Sequence, residues 1–176
     1  GQTRDEILAV LRSAPLFHPL PEDQLQKLAE GCSLLRFTAG EVLVRQGAPG
    51  NSLYIVRSGG VEVSVTAGEG HRAMKVAELD PGSFFGEMSL LTGEPRTATV
   101  TAREETEVVR VSKEGMNRVF QSDPSLVAPL SELLEARIGD LRRASVESGK
   151  IVEGHESSMS PGSHGVLARI KMFFGL

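Results

Sequence analysis

The 176-residue chain has one cysteine, one tyrosine and no tryptophan. A single cysteine, Cys32, excludes an internal disulfide framework and fits a reducing compartment. Its apolar neighbours mark it as a small core residue rather than a reactive thiol. No apolar run approaches the ~20 residues that span a bilayer, and no signal peptide is visible. Charge of one sign is also scarce: 19 Lys and Arg against 23 Asp and Glu give a net charge of −4. Proteins that coat nucleic acid carry a large basic surplus, so no nucleic-acid partner is expected. The histidines His18, His71, His155 and His164 are scattered, without HxH or HxxxH spacing, so no metal site is expected. No Ser, His and Asp grouping offers catalytic residues, and neither GxGxxG nor a Walker pattern occurs. The expectation is a protein that is not an enzyme and needs no cofactor.

What is present is one domain with extensions. The apolar fraction is 40%, enough for a proper core. "TRDEILAVLRSAPLF" reads as a short amphipathic helix, with Ile7, Leu8 and Leu11 at helical spacing and Thr3 with Glu6 as a capping box. "PEDQLQKLAEGC" reads as a second helix, opened by Pro21, stopped by Gly31, and facing inward at Leu25 and Leu28. From Cys32 the texture changes to segments of about six residues separated by turn signals. "SLLRF", "EVLVRQ", "LYIVRS", "VEVSV", "AMKVAEL", "TATVTA" and "EVVRVS" make at least seven short strands. Val61, Val63 and Val65 alternate onto one face. A closed barrel or jelly roll covers so many edges economically. After Ser112 helices return. "KEGMNRVFQSD" carries Met116, Val119 and Phe120 at core spacing. After Pro124 a longer helix, Ser125 to about Arg143, carries an apolar stripe of Leu130, Leu133, Leu134, Ile138 and Leu141. Residues 145–165 read as a flexible linker rich in Ser, Gly and Glu, and 166–176 as a short basic amphipathic segment.

The stretch "FGEMSLLTGEPRTATV", Phe85 to Val100, concentrates the chemistry. A surface loop with an ion pair from Glu87 or Glu94 to Arg96 would account for its charges. A second reading accounts for its glycines and hydroxyls as well. "FGEMSLLTG" forms a short helical turn whose first N–H groups lack intrahelical partners and can hold an anion. Gly86 lets a ligand approach. Arg96 offers a planar fork suited to phosphate or carboxylate. Glu87 beside an anion site makes sense only as an acceptor for neutral hydroxyls. A phosphate next to a ribose meets both demands, and a cyclic nucleotide joins the two in one compact unit.

The same stretch resembles the phosphate-binding cassette of cyclic nucleotide-binding domains, whose pattern is roughly F-G-E-x-[SA]-L-L, a variable piece, then R-[ST]-A-[TS]-V. It matches at Phe85, Gly86, Glu87, Ser89, Leu90, Leu91 and from Arg96 to Val100. "LFHPLPEDQLQKLAE" resembles the family's opening helix, and "GEVLVRQGAPGNSLYIVRSGGVEV" its early strands, with Gly40, Gly47, Gly59 and Gly60 in turns. The resemblance covers about Leu16 to Arg143. It implies a mainly β fold: a jelly-roll barrel of about eight strands with N-terminal helices and two C-terminal helices, the lid helix last. The domain it implies is 16–144, with 1–15 as the end of a preceding region. It implies that Arg96 pairs with the phosphate oxygens and Glu87 accepts from the ribose 2′-hydroxyl. The N–H groups of Met88 and Ser89 meet the phosphate beside Gly86, while Thr97 and Ala98 line the pocket. Arg137, Ile138 and Leu141 are the candidate lid contacts. The ligand is cAMP or cGMP, with cAMP favoured.

A binding domain must act on an effector. Because the chain begins almost inside a helix, it reads as a piece of a longer protein. A resemblance to the C-terminal domain of bacterial channels of the small mechanosensitive type makes an ion channel the expected effector. The expected location is then the cytoplasmic side of the cell membrane, with this piece itself soluble and the parent open to homo-oligomerisation. The alternatives are a transcription regulator of the Crp/Fnr type, a kinase regulatory subunit, and a ligand-free interaction module. The segment after Arg143 is too polar for the helix-turn-helix that the transcription reading needs. In "VLARIKMFFGL", Val166, Leu167, Ile170, Phe173 and Phe174 share one helical face with Arg169 and Lys171 off it. That suits a tail packing on its own protein, or a weak anchor on an anionic membrane surface.

Overall fold

The computed structural model describes residues 2–67, 70, 72–148 and 165–176, with the backbone alone for 138–148. The turn-punctuated segments form β1 (Cys32–Phe37), β2 (Val42–Val44), β3 (Ser52–Ser58), β4 (Val61–Val65), β5 (Met74–Leu79), β6 (Phe84–Phe85), β7 (Thr99–Ala102) and β8 (Thr106–Ser112). They pair in two antiparallel four-stranded sheets, ordered β1-β8-β3-β6 and β2-β7-β4-β5. This is the expected jelly roll, and β6 is the strand beyond the seven read from alternation. It spans two residues, pairing Phe84 with Ile55 and Phe85 with Tyr54. A two-residue strand leaves no period to detect.

Alternation along β3 and β8 feeds two separate cores. Leu53, Ile55, Val109 and Val111 pack into a large cluster with the helices. Tyr54, Val56 and Val108 join Val61, Phe85 and Val100 in a smaller cluster that both sheets line. Burial on both faces is why "LYIV" is a continuous apolar run rather than an alternating one. Glu107 on β8 is buried and takes two arginines from its neighbours, Arg57 of β3 and, at 3.0 Å, Arg36 of β1. Burial alone would push its carboxyl up. The hydrogen bonds from Arg57 and Arg36 overcome this and hold it below the ordinary value of 4.5.

The helical layer comprises α1 (Gln2–Ser13), α2 (Glu22–Glu30), α4 (Lys113–Ser122), α5 (Val127–Ser148) and α6 (Val166–Phe174), while α3 (Glu87–Thr92) sits between β6 and β7. Ile7, Leu8, Leu11, Leu25, Leu28, Met116, Val119 and Phe120 are buried as their spacing requires. Ser112 caps α4 by accepting from Gly115 N–H at 3.2 Å. Three readings need correction. α1 already includes Gln2, so Thr3 lies inside its first turn and does not cap it. Leu133 is 37% exposed, because the buried stripe of α5 runs through Val127, Leu130, Ser131 and Leu134. The helix also continues to Ser148, into the stretch read as linker. The rest of that stretch, 149–164, lies outside the described residues.

Cys32 has its thiol donating to Leu28 O at 3.3 Å, and burial pushes its pKa up to about 12. α6 packs on its own protein, with Val166, Ile170 and Phe174 buried in the helix-side core. Among the described residues, no helix is long and apolar enough to cross a membrane.

Candidate functional site

The end of β6 hands the chain to α3 through Gly86, which adopts φ 87 as the residue before the helix. A side chain is disfavoured there twice over. The left-handed backbone strains any L-residue, and a Cβ would lie 2.6 Å from Arg96 Nη1 and 2.9 Å from Ser52 O. Glu87 then begins α3 and is buried, at 6% exposure. Met88 is half-buried against the helix-side core. Ser89 is buried, and its hydroxyl donates to Glu94 O at 2.7 Å. That bond folds the loop after α3 back onto the helix, so the side chain of Ser89 shapes the cassette.

Arg96 is 8% exposed. Its backbone is fixed by two bonds to the β2–β3 loop: Gly47 N–H donates to Arg96 O at 2.7 Å, and Arg96 N–H donates to Ala48 O at 2.9 Å. Its side chain donates from Nη1 to Ser52 O at 2.7 Å. The guanidinium lies 5.6 Å from the centre of the Tyr54 ring, which stacks on Phe85 at 5.2 Å. Burial lowers the pKa of Arg96, while Tyr54 and the charge of Glu87 act to raise it. The structure therefore brings the cation and the carboxylate into one electrostatic neighbourhood. Thr97 follows at the surface, and Ala98 is half-buried.

Both carboxylates of the stretch reach arginines on distant helices. Glu94 takes Arg169 of α6. Glu87 takes Arg137 of α5, whose Nε lies 2.7 Å from Oε1 and whose Nη2 donates to Phe84 O at 2.9 Å. The Arg137 guanidinium also lies 4.1 Å from the centre of the Phe84 ring. Of the three candidate lid residues, Arg137 is thus placed at the cassette. The side chains of Ile138 and Leu141 lie outside the described residues. The sequence reading missed Ser52, Tyr54 and Gly50, all from β3 or the loop before it. Gly50 makes room for Arg96, since a Cβ there would sit 2.6 Å from Cζ. The "APGNSLY" loop held the signal: a glycine with no helix to end, followed by the chain's one tyrosine.

Fold and site together define a jelly roll that carries a buried guanidinium and a buried carboxylate on one stretch with a glycine-opened helix start. Residues 34–123, just over half of the chain, match the family model for the cyclic nucleotide-binding domain, and the chain belongs to that family. Domains of this family bind cAMP or cGMP as a regulatory ligand, are not themselves catalytic and require no cofactor. The chain is similar to the cAMP-dependent protein kinase regulatory subunit of Aspergillus fumigatus, at 32% identity over 68% of this chain and 28% of the relative. It is similar to the cGMP-dependent protein kinase of Plasmodium berghei, at 33% identity over 66% of this chain and 13% of the relative. Among solved structures it resembles the regulatory domain of Toxoplasma gondii PKA in complex with cAMP, with a TM-score of 0.68, 26% identity, and 79% of this chain and 51% of that one covered. The chain spans less than a third of the curated relatives named. Those relatives belong to kinase systems, and the attachment to a channel expected from the sequence is not shown by them.

Proposed function

We propose that this domain senses a cyclic nucleotide, cAMP in preference to cGMP, and passes its binding state to a protein kinase. Arg96 pairs with the exocyclic phosphate oxygens and Glu87 accepts from the ribose 2′-hydroxyl. The N–H groups of Met88 and Ser89 complete the phosphate site beside Gly86, and Thr97 and Ala98 line it. The observation that carries the reading is the burial of Arg96 and Glu87 on one short stretch with a lid arginine already at the carboxylate. A buried guanidinium is costly unless paired, and the two exocyclic oxygens of a cyclic phosphate, which share one negative charge, are a natural partner for its fork. Glu87 has two oxygens. Arg137 takes Oε1 and leaves Oε2 for a hydroxyl, so Arg137 on α5 and a bound ribose are compatible. Movement of α5 is then the route by which occupancy is communicated.

The kinase effector is supported by the relatives, and it replaces the channel of the sequence reading. Calorimetric titration with cAMP and with cGMP tests the ligand. Binding of at least one is expected, with the nucleotide recovered unchanged by chromatography. Absence of binding by both overturns the reading, and release of a 5′-monophosphate overturns its binding-only character. The effector is tested by the association of this chain with a cAMP-dependent kinase catalytic subunit, which cAMP should alter. Lack of association removes the kinase assignment without touching the ligand site.

A further inference from the structure

α6 does not settle on an arbitrary apolar surface. It grips the loop that joins the two halves of the cassette. After α3 the chain turns at Gly93, φ 73, and the ring of Phe173 occupies the space a side chain would need: a Cβ there would lie 2.7 Å from Phe173 Cδ1. Arg169 pairs with the next residue, Glu94. Lys113 Nζ at the start of α4 sits 3.8 Å over the same Phe173 ring. Phe174 meets Phe120 edge-on at 4.9 Å, and Ile170 is fully buried. Burial of a tail helix alone would need only Val166, Ile170 and Phe174. The ring on the glycine and the ion pair beside it are aimed at residues 93–94, between Glu87 and Arg96 in the chain and nearer to Arg96. α6 also packs against α5, the helix that delivers Arg137 to Glu87.

We propose that α6 is a strap. Docked, it holds the cassette loop and α5 together in the arrangement that binds the nucleotide, and bound nucleotide in turn holds α6 down. The reciprocity is required, since two binding events that favour one arrangement must strengthen each other by the same factor. A partner that draws residues 166–176 away from the domain would thereby loosen its ligand. The membrane-anchor reading of this segment is disfavoured, because Val166, Ile170 and Phe174 of the apolar face it would use are already covered by the domain. The ligand half of the proposal rests on the cyclic-nucleotide reading of the site; the mechanical half does not.

Phe173→Ala, Phe173→Tyr, Arg169→Gln and the control Met172→Ala separate the two. Hydrogen exchange across residues 86–96 without nucleotide should quicken in Phe173→Ala and Arg169→Gln and stay at the parent level in Phe173→Tyr and Met172→Ala. Affinity for cAMP should fall by roughly 5-fold or more in the first two variants, within the usual range of coupling between sites. Saturating cAMP should slow exchange in 166–174 of the parent. Unchanged exchange at 86–96 in Phe173→Ala overturns the strap, as does quickened exchange with undiminished affinity. If Phe173→Ala fails to fold, Arg169→Gln decides by the same criteria. A parent chain that binds no cyclic nucleotide overturns the proposed function, and the exchange at 86–96 still decides whether α6 braces the cassette.

Discussion

The two cores of this domain differ in size and in duty. The helix-side core draws on all six helices, including Leu90 and Leu91 of α3, on Phe84 of β6 and on one face of β3 and β8. The core lined by both sheets has six buried members, Tyr54, Val56, Val61, Phe85, Val100 and Val108, and two of these touch the site. Phe85 leads directly into Gly86, and Tyr54 lies beneath Arg96. The binding stretch thus bridges the two cores: Phe85 and Val100 at its ends belong to the smaller one, and Leu90 and Leu91 of α3 to the larger, which holds most of the apolar burial that opposes unfolding. Within the larger core, α1 and α2 lie away from the cassette in the chain, whereas α3 carries it and α6 packs against α3.

The sharpest test of that comparison is a cavity in the part of the helix-side core built by α2. Leu28→Ala removes a fully buried side chain and should cost ~2–5 kcal/mol of stability in urea unfolding. Nucleotide affinity of the folded fraction should stay at the parent value. A parallel loss of affinity would show that α2 braces the cassette through the shared core.

The converse substitution is Arg96→Leu. Losing charge-assisted bonds to a phosphate, each worth ~1.5–3 kcal/mol, should weaken cAMP binding by at least ~10-fold. The unfolding midpoint should move little, since the side chain's hydrogen bond within the protein is the one to Ser52 O among the described residues. Equal affinity for variant and parent would remove Arg96 from the site.

Acid titration addresses the frame around the smaller core. Glu107 has a folded pKa held below 4.5 by Arg57 and Arg36. A depressed carboxylate contributes stability above its unfolded pKa and loses it as pH falls through the folded one. Stability should therefore fall as pH drops below 4.5, and the fall should be shallower in Glu107→Gln when both are followed by urea unfolding across pH. Identical profiles would show that this triad does not set the acid limb.

The smallest effect concerns ligand choice. In the site proposed above, guanine in the syn conformation would turn its 2-amino group towards the phosphate and the Thr97 hydroxyl would accept from it; adenine has no such group. Thr97→Ala should weaken cGMP by at most ~10-fold, the worth of one neutral hydrogen bond at ~0.5–1.5 kcal/mol, and leave cAMP nearly untouched. Equal weakening of both would assign Thr97 to the phosphate or the fold.

Legibility from sequence followed the physics of each element. The cassette was readable because its glycines, hydroxyls and charges have jobs that few other residues can do. The helices that bury Leu8, Leu28, Met116 and Phe120 announced themselves by period. Three things escaped. β6 is too short to show alternation. The support of Arg96 by Ser52, Tyr54 and Gly50 bridges more than forty residues of chain, and no local pattern encodes such a contact. The place of α5 over the cassette could be named only as a helix with candidate contacts, because the register of a mobile-looking amphipathic helix depends on what it meets. Its stripe proved to favour Val127 and Ser131 over Leu133.

One consequence of the strand order concerns the ribosome rather than the ligand. Among the described residues β8 is the last strand, yet it lies between β1 and β3, pairing Cys32 with Val111 on one side and Leu53 with Val111 on the other. Until residues 106–112 have left the exit tunnel, β1 and β3 have no partner along those edges. The cassette emerges before the sheet that carries it can close. Such late, long-range closure slows folding and prolongs the exposure of apolar strand edges such as "LYIV" during synthesis.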